Sequence, residues 1–192
     1  MRDNNNILYV AFQVNKAINI SRSADNGSTW NASWAQLNSS CNSANNQLFP
    51  AMGVDNQNNL HVAASCSLKN VSYWFLNAST SYSFTQREIV AVPEGFSTST
   101  PTLSIAVNDS THVAIVFTNS TPRTFFAESH DRGVTWSDRY VVKPTVSYGI
   151  PYVAFTQGDV LALIAYITSS NSEIDRFDCW ANCTNTDNWI NK

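Results

Sequence analysis

Apolar and polar positions alternate along most of this chain, and polar turns interrupt the alternation at a nearly constant interval. Asp3-Asn4-Asn5-Asn6 leads into the apolar alternating stretch Ile7-Leu8-Tyr9-Val10-Ala11-Phe12. Asp55-Asn56-Gln57-Asn58-Asn59 leads in the same way into Leu60-His61-Val62-Ala63-Ala64, and Asn108-Asp109-Ser110-Thr111 into His112-Val113-Ala114-Ile115-Val116-Phe117. A weaker copy runs from Gln157-Gly158-Asp159 into Val160-Leu161-Ala162-Leu163-Ile164-Ala165-Tyr166. The first three turns start 52 and 53 positions apart, and the fourth follows about 50 later. Period-2 alternation with β-branched and aromatic residues predicts strands, and no stretch sustains a capped helical period.

Further strands flank each of these. Pro50–Val54, Pro101–Val107 and Pro151–Phe155 precede the second, third and fourth turns. Val71–Leu76 and Arg123–Glu128 are third strands of their units, and Arg87–Val92 and Arg139–Val142 are fourth strands. Four short strands per period of about 50 residues is the arithmetic of a propeller blade. The predicted fold is an all-β propeller of four-stranded antiparallel blades, about four of them, near residues 1–47, 48–98, 99–148 and 149–192. The first unit lacks an opening strand and the last stops as its fourth strand begins near Trp189. The expectation is therefore an incomplete ring, completed by the rest of a longer polypeptide or by further copies; a closed four-bladed ring is the alternative.

Two units carry one more signal. Ser23-Ala24-Asp25-Asn26-Gly27-Ser28-Thr29-Trp30 and Ser129-His130-Asp131-Arg132-Gly133-Val134-Thr135-Trp136 both read S-x-D-x-G-x-T-W, 106 positions apart, which is two periods. The Asp side chain can accept from backbone N–H groups just downstream and close a turn. The Gly permits φ > 0 for a tight hairpin, and the Trp folds back as an apolar cover. The octet resembles the Asp-box, or bacterial neuraminidase repeat, of sialidase-like propellers. The resemblance implies that Ser23, Asp25, Gly27, Thr29, Trp30, Ser129, Asp131, Gly133, Thr135 and Trp136 are structural and peripheral, not catalytic. The second unit departs from the pattern: Asn77–Phe84 keeps an aromatic but neither Asp nor Gly. In the fourth, Cys179 and Cys183 can staple the hairpin, which ends in Asn188-Trp189, as in repetitive extracellular propeller-like proteins that it loosely resembles.

Composition narrows the setting. Charged residues make up 13% and aromatics 12%, with net charge −3 and no basic block, which argues against nucleic acid as a partner. The longest strongly apolar run, Val160–Ile167, is far short of a bilayer span, and the first residues lack a signal-peptide core. Four cysteines allow three pairings; we favour Cys41–Cys66 and Cys179–Cys183 as disulfides, with four buried thiols as the alternative. His61, His112 and His130 lie far apart in sequence and no C-x-x-C occurs, so no metal site is expected. Nine N-x-S/T sequons begin at Asn19, Asn26, Asn31, Asn38, Asn70, Asn77, Asn108, Asn119 and Asn182. This is roughly twice what composition alone gives, and with paired cysteines it points to a glycoprotein that is secreted, on a cell surface or on a virion surface.

Family resemblance also says what a reaction centre would need. Sialidases grip a carboxylate with three arginines and use a Tyr–Glu nucleophile pair and an Asp acid/base. The chain has seven arginines, Arg2, Arg22, Arg87, Arg123, Arg132, Arg139 and Arg176, none in the F/Y-R-x-P context of the family's first arginine. Arg123, Arg176, Tyr148 and Tyr152 are the side chains to watch; solvated or core positions are the plainer reading for each. No catalytic residue and no cofactor is assigned. The favoured expectation is a non-catalytic surface propeller that binds glycans or proteins or serves a structural role. A sialidase-like glycosidase fragment and a filament or coat subunit joined through blade edges are the alternatives.

Overall fold

Turns at regular intervals cut the chain into short antiparallel strands, and these assemble locally, each with its neighbour in sequence. The computed structural model describes residues 1–15, 17–37, 49–66, 70–77, 84–91, 103–108, 111–118, 124–138, 140–141, 148–156, 160–167, 174–180, 183 and 185–191. The first sheet holds β1 (Leu8–Val14), β2 (Ala17–Ser23) and β3 (Asn31–Leu37). The second holds β4 (Ala51–Val54), β5 (Leu60–Cys66), β6 (Asn70–Leu76) and β7 (Phe84–Ala91). The third holds β8 (Leu103–Val107), β9 (Val113–Thr118), β10 (Thr124–Ser129) and β11 (Tyr140–Val141). The fourth holds β12 (Tyr148–Phe155), β13 (Leu161–Ile167), β14 (Ile174–Cys179) and β15 (Ile190–Asn191). Every sheet is an antiparallel meander in sequence order, the topology of a propeller blade. The first sheet has three strands; where a fourth would lie, Arg2 makes a single bridge to Leu8, and the Met1 amino group donates to the Tyr9 carbonyl at 2.9 Å.

The sheets stack face to face. Tyr9, Ile18, Ile20 and Leu37 of the first sheet pack with Leu60, Val62, Trp74 and Leu76 of the second. Ala63, Val71 and Tyr73 on the other face of the second meet Ile105, Val113, Ile115, Phe117 and Phe125 of the third. Ala106, Ala114, Val116 and Phe126 then meet Val153, Leu161, Phe177 and Trp189 of the fourth. Successive residues of β9 therefore face different neighbours, and all six are buried. That is why this strand reads Val-Ala-Ile-Val-Phe without polar interruption, as a strand covered on both faces does. In β1, by contrast, one face has no core partner among the described residues, and Val10 and Val14 are exposed. Among the described residues no core cluster joins the fourth sheet to the first, so the four sheets form an arc and not a closed ring.

The opening strands run side by side on the inner edge of the arc. A Cβ on Gly53 of β4 would come within 2.5 Å of Val107 Cγ2 of β8, so this close approach requires glycine. The Val153 N–H of β12 donates to Ser104 Oγ of β8 at 3.3 Å. Large side chains such as Trp74, Tyr73, Phe117 and Phe126 are fully buried between sheets. Each contributes about 1.5–3 kcal/mol relative to an exposed position.

Two strand starts lie three residues upstream of the sequence reading. β12 starts at Tyr148, upstream of Pro151, because the ladder shifts register between those residues. Proline cannot donate to a ladder, and an irregularity at that point lets the strand pass through it. β7 starts at Phe84 and not at Arg87, because its pairing with β6 runs on to Leu76↔Phe84. Among the described residues the only helix is the 3₁₀ turn Thr186–Asn188, and no helix is long and apolar enough to cross a membrane.

Candidate functional site

In a four-stranded meander the first and third turns fall at one end of the sheet and the second at the other. The described turns belong to the first-and-third end. The first turns share one geometry. The N–H of Asp3, Asp55, Asn108 and Thr156 donates to the carbonyl four residues on, at Ile7, Asn59, His112 and Val160. Asp3 Oδ1 accepts from the N–H of Asn5 and Ile7, and Asp55 Oδ1 from Gln57 and Asn59. Asn108 Oδ1 keeps the bond from the His112 N–H. These are side-chain-closed turns of the kind Asp and Asn favour. Neighbouring turns also touch: the Asn4 N–H donates to Asn58 Oδ1 at 2.9 Å, and Asn4 Nδ2 to the Asn56 carbonyl at 2.8 Å.

The third turns of the first and third sheets are the two octets. Asn26 and Gly27 have φ of 57° and 90°, and Arg132 and Gly133 have 59° and 79°. Two successive left-handed residues form a tight hairpin whose twist matches its strands. In the first octet Ser23 Oγ donates to Asp25 Oδ1 and accepts from the Gly27 N–H. The Thr29 N–H and hydroxyl both donate to the Asp25 carboxylate, and Trp30 Nε1 donates to the Gly27 carbonyl. Ser129, Asp131, Gly133, Thr135 and Trp136 repeat every one of these bonds. The Thr29 hydroxyl and N–H and the Ser23 hydroxyl hold the Asp25 carboxyl down at about 2. At Asp131 burial pushes upward, but the bonds from Thr135, Ser129 and the Val134 N–H outweigh it, again leaving about 2. Carboxylates held ionised by internal donors are poor proton-transfer groups at neutral pH.

The fourth sheet closes its third turn differently. Cys179 and Cys183 form a disulfide with Cα atoms 5.7 Å apart. Trp189 Nε1 donates to the Cys183 carbonyl at 2.8 Å, as the octet tryptophans do to their glycines. The Cys41–Cys66 pairing lies outside the described residues.

A third grouping was not legible in the sequence. Spacing argued against any metal site, but folding brings two of the three histidines together. His112 ends the first turn of the third sheet, Glu128 lies on β10, and His130 sits inside the octet. His112 Nε2 is 2.8 Å and His130 Nε2 3.6 Å from Glu128 Oε2. The two rings stack with centroids 4.1 Å apart, and Phe155 packs edge-on against His112. The signal that finds them is the repeat: His112 precedes β9, Glu128 is the last residue but one of β10 and His130 follows that strand, so the three flank the Val113↔Ser129 pairing.

Of the side chains marked for a reaction centre, those of Arg176 and Tyr152 are described. Arg176 forms a two-pronged pair with Asp178, at 2.8 and 3.0 Å, on β14. Arg22 lies over the Trp34 ring, Arg2 bonds Asn6, and Arg132 is in the octet turn. Tyr152 is exposed on β12. Arg87 and Tyr148 lie on strands whose side chains are not described, and Arg123 and Arg139 lie outside the described residues. Of the sequons, Asn26 and Asn31 are exposed, and Asn19, Asn77 and Asn108 are half-buried. Asn70 is placed on β6 by its backbone, and Asn38, Asn119 and Asn182 lie outside the described residues.

No protein-family model matches the sequence, and no curated protein matches it. Solved structures do resemble the fold. The chain superposes on the six-bladed fucose-recognising lectin of Aleuria aurantia with a TM-score of 0.69 and 11% identity, over 97% of this chain and 55% of the lectin. It matches the NanB sialidase of Streptococcus pneumoniae with a TM-score of 0.64 and 14% identity, over 92% of this chain and 27% of that one. It matches the GH93 α-L-arabinofuranosidase of Fusarium graminearum with a TM-score of 0.66 and 9% identity, over all of this chain and 64% of the enzyme. The chain thus spans from about a quarter to under two thirds of these proteins. At such identities the likeness is one of fold: a β-propeller of the architecture found in lectins, sialidases and GH93 enzymes.

Proposed function

We propose that this chain is an Asp-box propeller region of a secreted or surface glycoprotein, and that it binds glycans without cleaving them. The observation that carries the reading is the propeller fold, shared over nearly the whole chain with a fucose-recognising lectin. The octet bonds support the Asp-box assignment, and the Cys179–Cys183 disulfide fits an oxidising compartment. Arg176, one of the side chains marked for a reaction centre, is paired with Asp178 and not left open to a substrate carboxylate, which supports the non-catalytic part. The approximate blade limits 1–47, 48–98, 99–148 and 149–192 belong to the same proposal, with the ring completed by the rest of a longer polypeptide or by further copies.

Binding to an array of fucosylated and sialylated glycans, run beside hydrolysis of a fluorogenic sialoside, tests this. Saturable binding without turnover is expected. Turnover lost on replacing Arg176 or Tyr152 would move the chain to the glycosidase reading that the sialidase-like fold keeps in view. The exposed Tyr152 and Ile190, on β12 and β15 at the two edges of the last sheet, favour a second reading, assembly through blade edges. Its sign would be polymers whose size grows with concentration.

A further inference from the structure

We propose that His112, Glu128 and His130 form a zinc-class metal site on the first-and-third-turn end of the third sheet. Their nearest ligand atoms, one from each residue, lie within 4.8 Å of one another. Around an ion held at about 2.1 Å, tetrahedral ligand atoms stand about 3.4 Å apart, so the site can close by side-chain movement alone, chiefly that of His130. Two imidazole nitrogens and one carboxylate oxygen suit Zn²⁺ and its late first-row neighbours; Ca²⁺ and Mg²⁺ prefer all-oxygen sets. Three protein donors leave a fourth position for water on the exposed side.

Two further observations support the assignment. The Glu128 side chain is 5% exposed, and among the described residues no Lys or Arg pairs with it. A buried carboxylate without a permanent cation is costly, and a divalent ion supplies that charge. The three donors also sit on differently mobile supports. Glu128 is fixed on β10 by the bonds its backbone makes with Ser137, and His112 is held by Asn108 and Phe155. His130 is 69% exposed and can move. The stacked rings are 27° apart, which is too close to parallel for both nitrogens to point at one ion. Binding therefore swings His130 out of the stack. The ion would clip the first turn, β10 and the octet of one blade together, at the edge where Phe155 brings in the next.

The test is a titration of the untagged chain with Zn²⁺ by calorimetry, and with Co²⁺ by visible absorption. One ion per chain is expected, with Co²⁺ d–d bands of nitrogen and oxygen ligation. His130→Ala removes an exposed ligand without touching the core and should weaken binding at least about tenfold. Glu128→Gln keeps the side-chain shape and should weaken it comparably. Should the folded parent chain bind no Zn²⁺ at 100-fold molar excess, the proposal fails. It fails equally if both variants bind as the parent does, because the ion would then sit elsewhere. Circular dichroism confirms that each variant is folded before titration; His130→Ala alone decides the matter if Glu128→Gln does not fold.

Discussion

The same eight-residue pattern closes a hairpin in the first sheet and another in the third, and the hydrogen bonds that the two hairpins share agree to 0.1 Å. Their surroundings differ. Around the first octet, a Cβ on Gly27 would meet Leu8 and Trp30 at no less than 3.7 Å, and Trp30 is 42% exposed. The second is wedged against the neighbouring sheet. A Cβ on Gly133 would lie 2.2 Å from the Tyr73 ring, and Trp136 packs edge-on against the same ring at 5.2 Å. The Tyr73 hydroxyl donates to the Arg132 carbonyl, and the Arg132 N–H donates to the Thr111 carbonyl. Behind Tyr73 stands buried His61, whose Nδ1 is 2.7 Å from that hydroxyl and whose Nε2 is 3.4 Å from Asp55. One octet is a local turn at the surface; the other also joins two blades. Identical local chemistry does not imply equal energetic weight.

The glycines should separate the two octets most. Both have positive φ, so alanine costs about 1–2 kcal/mol at either from backbone strain. Gly133→Ala adds a clash with a fully buried ring and should lose about 3 kcal/mol or more in denaturant unfolding. Equal losses would mean that Tyr73 yields freely and that the wedge is not rigid. The tryptophans come next. Trp136→Ala is expected to cost about 2–3 kcal/mol and Trp30→Ala about 1 kcal/mol, read from the same curves. A larger effect at Trp30 would reverse the comparison.

The disulfide hairpin of the fourth sheet sharpens the picture from another side. Closing so short a loop is worth about 2 kcal/mol by chain entropy. Replacing Cys179 and Cys183 by serine should cost about that, with Trp189 fluorescence reporting the loosened turn. Tyr73→Phe removes the inter-blade hydroxyl and should cost about 1–2 kcal/mol while leaving the first octet unchanged. The smallest effect is acid sensitivity. The two octet carboxyls sit at about 2 in the fold and near 3.9 when unfolded. A depressed carboxyl contributes fully above the unfolded value and loses its contribution as pH falls through the folded one. Stability should therefore decline from about pH 4 to pH 2, and Asp25→Asn with Asp131→Asn should flatten that decline.

Much of this was legible in the residues. The spaced turns at Asp3, Asp55 and Asn108 announced the blades, because Asp and Asn side chains close turns through bonds only four residues long. The octets and the Cys179–Cys183 staple were equally local. β12 was misread at its start because the regular pattern does not show where a ladder shifts around Pro151. The continuous apolar run of β9 showed burial, but not which sheet each residue would face.

The sequence by itself determined where this chain turns, which residues close each hairpin, and that its strands make antiparallel blades. These depend on contacts between residues a few positions apart, where side-chain and backbone chemistry leave few choices. Only the tertiary structure decided that Gly133 lies against Tyr73 from 60 residues away, that Arg176 is taken up by Asp178, and that His112 and His130 meet over Glu128. Those contacts depend on how the twist of each sheet and the stacking of the next place side chains, and linear spacing carries no measure of that.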